Sequence, residues 1–214
     1  DYSMKYDKTL TTALLKTAFM LSVFTIVYNI GEGFFSVFFG VKDETLALFG
    51  FGIDSYVEVV SGIGVGHMIW RMQRSSVNDR DRFERRALLI TGIAFYLLAA
   101  GLTVGAFIIV INGSKPDTTL VGIIISVLSI ITMWFLYRRK IATGRAMESD
   151  PLIADARCTL TCFYLSIILL ASSISFHLFH IGYLDAAGAL GIAIFAFREG
   201  KETLEKAERG NLSE

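Results

Sequence analysis

Two matched pairs of side chains carry the chemistry of this sequence. Asp54 and Glu58 stand four residues apart, and so do Cys158 and Cys162, the only cysteines in the chain. On a helix that spacing puts both members of a pair on one face. Carboxylates and thiolates are metal donors, and two of each can close a four-coordinate tetrahedral site. A buried cysteine in isolation is a small hydrophobe. A matched pair opposite a carboxylate pair reads instead as ligation. A disulfide between the two is disfavoured, because side chains at that spacing on a regular helix seldom meet the bridge geometry.

An oily chain has to position these pairs. The 214 residues are 53% hydrophobic and 19% charged, with a mean hydropathy of +0.56, whereas a soluble domain carries more charge and shorter apolar runs. A membrane-crossing helix needs about 20 apolar residues to cover ~30 Å of hydrocarbon at ~1.5 Å each. Five stretches reach this length, Thr12–Val41, Leu46–Gln73, Ala87–Asn112, Thr118–Tyr137 and Leu152–Phe179, and a sixth, Leu184–Phe197, is shorter but is bounded by Tyr183 and Arg198 and is read as a crossing too. The expected fold is therefore an all-α membrane protein, a six-transmembrane-helix bundle over residues 1–198 with a short charged cytoplasmic tail over 199–214. The pieces between the helices are too brief for a separate soluble domain.

Basic residues set the orientation. Arg71 at the end of the second stretch and Arg74, Arg80, Arg82, Arg85 and Arg86 after it lead into the third, and Arg138, Arg139, Lys140 and Arg145 lie between the fourth and fifth. Lys5 and Lys8 precede the first stretch, and Arg198, Lys201, Lys206 and Arg209 follow the last; the opposite side offers Lys42 and Lys115. The positive-inside rule then puts both termini in the cytoplasm. The first stretch is too long for a cleaved signal peptide and lacks a small-residue cleavage site. These arginines act as orientation signals with no basic recognition fold beside them, so no nucleic-acid partner is expected.

With that topology the second helix runs inward and the fifth outward. At ~1.5 Å per residue, Asp54 lies about 18 Å and Glu58 about 12 Å from the cytoplasmic boundary. On the same rise Cys162 lies about 15 Å and Cys158 about 9 Å from it. The two pairs fall at one level. Gly50, Gly62 and Gly66 continue the acidic stripe and let a neighbouring helix approach closely, so the acids point into the bundle.

Further polar residues surround this level. Asn29, Glu32 and Ser36 share a face of the first helix. Glu32 reads either as a fifth donor, proton carrier or outer gate, or as a carboxylate held by a polar partner or lying near the outer interface; both readings stay open. Asp155 shares the stripe of Cys158, Cys162 and Ser166 and is an accessory or proton-carrying candidate. With Arg157 it falls near the inner end of its helix, where both are expected to be interfacial and solvated. His67 sits beside Trp70 in an interface belt. His177 and His180 flank the outer end of the fifth helix as weak candidates for metal uptake or release. Gly101 and Gly105 form a GxxxG spacing, a common packing feature of membrane helices.

The runs Gly50-Phe-Gly-Ile-Asp54-Ser-Tyr-Val-Glu58, Ala154-Asp155-Ala-Arg-Cys158-Thr-Leu-Thr-Cys162 and Arg198-Glu199-Gly200 resemble the short branch of the cation diffusion facilitators. The resemblance spans the membrane region. It implies a six-helix transport domain, usually a homodimer, through which divalent metal leaves the cytoplasm in exchange for protons. It also implies a site of two acids on the second helix and a His/Asp pair on the fifth. Here Glu58 replaces the second aspartate, Cys158 and Cys162 replace His and Asp, and the chain ends in a charged tail where the family carries a cytoplasmic metal-binding domain.

Thiolate donors favour softer ions, Zn²⁺, Cd²⁺, Hg²⁺ or Cu⁺, over Mn²⁺ and Mg²⁺. Four ionised ligands without a cation are untenable in a low dielectric, so several hold protons that metal expels. The expected function is proton-coupled antiport of a Zn/Cd-like divalent cation by alternating access. The chain would sit in a cell membrane, the bacterial inner membrane, with metal as cargo and no tightly bound cofactor. A metal sensor or buffer without transport, a thiol redox protein and a channel remain as rivals. No nucleophile–base constellation or phosphate-binding loop appears, so no enzyme activity is expected.

Overall fold

The computed structural model describes residues 2–42, 46–72, 80–113, 120–179 and 183–209, and nearly all of these residues are helical. The helices are α1 (Tyr2–Lys42), α2 (Leu46–Met72), α3 (Arg80–Asn112), α4 (Leu120–Ala146), α5 (Asp150–Phe179) and α6 (Tyr183–Arg209). No strand occurs among the described residues. Five helices are long and apolar enough to cross a membrane, over Thr12–Lys42, Leu48–Arg71, Arg85–Asn112, Leu120–Ala146 and Asp150–Ser175. Helices satisfy their own backbone groups, which is why hydrocarbon admits them. Large apolar side chains such as Phe24, Phe34, Phe38, Ile131 and Phe135 face outward, as a lipid-facing surface requires.

The sixth apolar stretch ends at Phe197, before the charged residues expected as a tail, but the helix does not stop there. It runs on to Arg209 beside α3. Arg85 Nε donates to the Ala207 carbonyl at 3.2 Å near one end of the pair, and Ala186 packs with Ala106 and Ile109 near the other. The span from Arg85 to Ile109 covers about 36 Å at the helical rise, so α6 accompanies α3 through the full thickness of the bundle. Residues 199–209 stay helical because Gly200, Thr203 and Ala207 are buried, with Gly200 against Phe95 and Leu204 over Gly92.

The α4–α5 turn fixes the register that matters most. The Ser149 amide donates to the Gly144 carbonyl at 3.0 Å and the Glu148 amide to Arg145 at 3.2 Å, while Glu148 takes a left-handed φ of 50°. This is a Schellman ending. Gly144 packs against Leu152 and Ile153, and Pro151 is tolerated in the first turn of α5, where no intrahelical donor is needed. α4 therefore continues well past Tyr137, and Lys140, expected in a connecting segment, lies inside the helix.

α1 and α2 pack closely through small residues, but not quite those anticipated. Gly62 and Gly66 do face α1, near Ile26 and Ser22, whereas a Cβ on Gly50 would meet nothing within 4 Å. The tight crossings are at Gly40, whose added Cβ would sit 2.5 Å from the Phe49 backbone nitrogen, and at Gly52, whose added Cβ would sit 2.7 Å from Val37 Cγ2 and 2.8 Å from the Val37 backbone nitrogen. Gly52→Ala should therefore cost about 1–3 kcal/mol of stability. Gly105→Ala, where a Cβ meets nothing within 4 Å, should leave the melting temperature in detergent unchanged. Equal melting of the two variants would refute this packing argument.

Candidate metal centre

α2 and α5 run antiparallel, and their buried faces meet as a ladder. Cys162 Sγ donates to Asp54 Oδ2 at 2.6 Å. A turn along, Thr159 Oγ1 donates to Glu58 Oε1. A turn further, Ser61 Oγ donates to Asp155 Oδ1 at 2.8 Å and also contacts Thr91 Oγ1 at 3.3 Å. The expectation from helical rise that the acidic and cysteine pairs share a level is met. All six ladder residues, and Cys158 with them, are at most 1% exposed.

The four proposed donors lie together along this face but form no closed cage. Among the described residues, no three His, Cys, Asp or Glu side chains are gathered closely enough to hold a metal ion. A cation from α4 lies beside these donors. Lys140 is fully buried, with Nζ 2.8 Å from Asp155 Oδ2, 2.8 Å from Thr159 Oγ1 and 3.4 Å from Glu58 Oε1. Lysine and threonine together engage Glu58 Oε1.

Lys140, grouped by sequence with the basic residues between membrane spans, is instead a cation buried inside the bundle. The buried positions of α4 are Gly122, Ser126, Ser129, Met133, Leu136, Lys140, Thr143 and Gly144. Extending that alternation of three and four past Tyr137 would have found it. Asp155 likewise departs from its expected solvated position: it is fully buried and paired with Lys140 and Ser61. Thr159, between the cysteines in sequence, was also overlooked. Arg157 projects elsewhere. It is one-third exposed and reaches Glu199 and Glu202 of α6 at 3.0 Å each, and its hydrogen bond holds the Glu202 carboxyl below the usual carboxylate range.

Glu32 has two hydroxyl partners. Tyr28 OH donates to Oε1 and Ser55 Oγ to Oε2, each at 3.0 Å, so its carboxyl is held by hydroxyl groups. It borders a cavity of about 500 Å³ between α1 and α4. Asn29 and Ser36 share its buried face, and Asn29 Nδ2 donates to the Thr25 carbonyl at 2.9 Å. His67 lies beside Trp70, with ring centroids 6.3 Å apart and the ring planes tilted by 32°. His180 lies outside the described residues, as does the side chain of His177.

The donor chemistry fits a cation. Asp54 Oδ1 and Glu58 Oε2 are buried without a hydrogen-bond partner, and a buried carboxylate oxygen left so is costly unless something positive completes it. Both cysteines are free thiols. They sit in separate apolar clusters, Cys158 with Phe51, Leu98 and Leu165, and Cys162 with Met133 and Leu136, an arrangement that does not suit thiol exchange. A second, apolar cleft between α2 and α3, lined by Gly50, Ile53, Leu98, Gly101 and Gly105, reaches Asp54. Residues 22–207 match the family model described as the cation efflux transmembrane domain.

Proposed function

The chain belongs to the cation efflux family, the cation diffusion facilitators, and from that premise we propose that it exports Zn²⁺ or Cd²⁺ in exchange for protons. It is a multi-pass membrane protein of a family that transports divalent cations. The observation that carries the finer reading is the Asp54–Cys162 contact with Glu58 one turn away, each acid keeping a buried oxygen unpartnered. Asp54, Glu58, Cys158 and Cys162 would hold the cargo. A mixed oxygen and sulfur set suits zinc and cadmium and disfavours the harder manganese and magnesium.

Antiport follows from the same donors. Thiols and carboxyls crowded in hydrocarbon carry protons until a cation replaces them. Metal arriving from the cytoplasm expels those protons, and reprotonation from the far side expels the metal. Both termini face the cytoplasm in this reading, two copies associate, and access alternates between the two sides of a bacterial inner membrane.

The test is flux into sealed proteoliposomes. Zn²⁺ and Cd²⁺ uptake should saturate, accelerate when the lumen is made acidic, and move protons the other way. Mn²⁺ should move at least about tenfold more slowly, a difference of about 1.4 kcal/mol. Binding without flux would identify a sensor or buffer, and unsaturable flux indifferent to pH would identify a channel; either result would displace this reading.

A further inference from the structure

A lysine buried among ionisable groups in a membrane bundle needs a reason. Taking an ammonium out of water is expensive, and a buried ion pair is weak evidence for stability. Lys140 is ion-paired with Asp155 Oδ2 at 2.8 Å, and the other Asp155 oxygen accepts from Ser61. Yet the same ammonium also reaches Glu58, directly at 3.4 Å and through Thr159, which accepts from Lys140 and donates to Glu58. One positive charge is thus shared between a carboxylate that belongs to it and one proposed to bind cargo.

We propose that Lys140 is a tethered cation that competes with the transported metal for Glu58. A divalent ion arriving between Asp54, Glu58 and the cysteines must take Glu58 from the ammonium. Lys140 then rests on Asp155 and Thr159 alone, already 2.8 Å away each, so the exchange needs little movement. The device lowers affinity. Fully engaged carboxylate and thiolate donors make the closed sites that hold zinc as structure, whereas cargo must bind well enough to enter and weakly enough to leave. Lys140 stands ready to reclaim Glu58 as the metal departs. The inference rests on the reading of Asp54, Glu58, Cys158 and Cys162 as the cargo site.

The test is equilibrium Cd²⁺ binding to the purified full-length protein in detergent, beside KM and maximal flux in proteoliposomes. In Lys140→Met/Asp155→Asn both charges leave together, which avoids stranding one of them. This variant should bind Cd²⁺ at least about tenfold more tightly, with a lower KM and a lower maximal rate because release slows. Asp155→Asn alone leaves Glu58 as the sole carboxylate for the ammonium and should weaken binding about tenfold. A purely structural ion pair would move both variants the same way or neither, and that result overturns the proposal. Should the double variant fail to fold, unweakened binding by Asp155→Asn overturns it as well. Absence of Cd²⁺ binding by the unmodified protein would instead remove the cargo site itself.

Discussion

Asp54→Ala should abolish Zn²⁺ and Cd²⁺ flux while leaving the fold as stable as before or more so. Asp54 is the acid in direct contact with a cysteine, and its Oδ1 has no hydrogen-bond partner in a fully buried position. Loss of a group that merely supports a metal ligand costs about 10–100-fold in affinity or activity, so loss of a ligand should cost at least about 100-fold. Stability should move the other way. A carboxyl group in a membrane bundle is a burden to the fold, and alanine removes the burden together with the donor. Glu58→Ala should give the same loss of flux, but it also strands part of the Lys140 network, so its melting temperature should fall below that of Asp54→Ala. Flux by Asp54→Ala within about threefold of the unmodified protein, a difference of under about 1 kcal/mol, would remove this residue from the site.

The level shared by the acids and the cysteines was legible because it depends on two quantities the chain carries locally, helical spacing and rise per residue. Antiparallel packing of α2 and α5 then makes contact between Asp54 and Cys162 unavoidable. Lys140 was not legible in the same way. A basic residue three positions past an apolar run, preceded by Arg138 and Arg139, has the appearance of an interfacial charge. Its burial depends on α4 continuing to Ala146 and on the α4–α5 turn closing behind Gly144. Those are tertiary facts, set by packing against Leu152 and Ile153. The reading of Asp155 failed for the same cause, since a carboxylate near a helix start is solvated unless a cation reaches it from a neighbouring helix.

Glu32 shows the opposite balance. Its spacing with Asn29 and Ser36 announced a buried polar face, and all three are buried. Spacing alone left its partners open, because Tyr28 is on its own helix but Ser55 comes from the next. The same limit explains α6. Its charged second half reads as a tail by composition, and only the burial of Gly200, Thr203 and Ala207 against neighbouring helices keeps it helical.

The second large effect concerns which metal is carried. Cys158→His with Cys162→Asp should preserve Zn²⁺ flux but lower the ratio of Cd²⁺ to Zn²⁺ transport at least about tenfold. Both thiolates are soft donors, and replacing them with imidazole and carboxylate moves the site toward harder ions. The geometry favours retained function, because position 162 already faces Asp54 Oδ2. Two carboxyl groups there repel unless a cation or a proton lies between them, which keeps the position dependent on cargo. Position 158 is less accommodating. Cys158 is fully buried among Phe51, Leu98 and Leu165, and histidine there overpacks the cluster at about 1–3 kcal/mol. The double variant should accordingly melt earlier while still transporting, a combination distinct from Cys158→Ser with Cys162→Ser, which removes both strong donors and should lose flux. Competition between Cd²⁺ and Zn²⁺ in proteoliposomes reads the ratio directly. A ratio unchanged by the swap would mean that the thiols do not touch the cargo, leaving the acids of α2 and the lysine of α4 to determine what crosses.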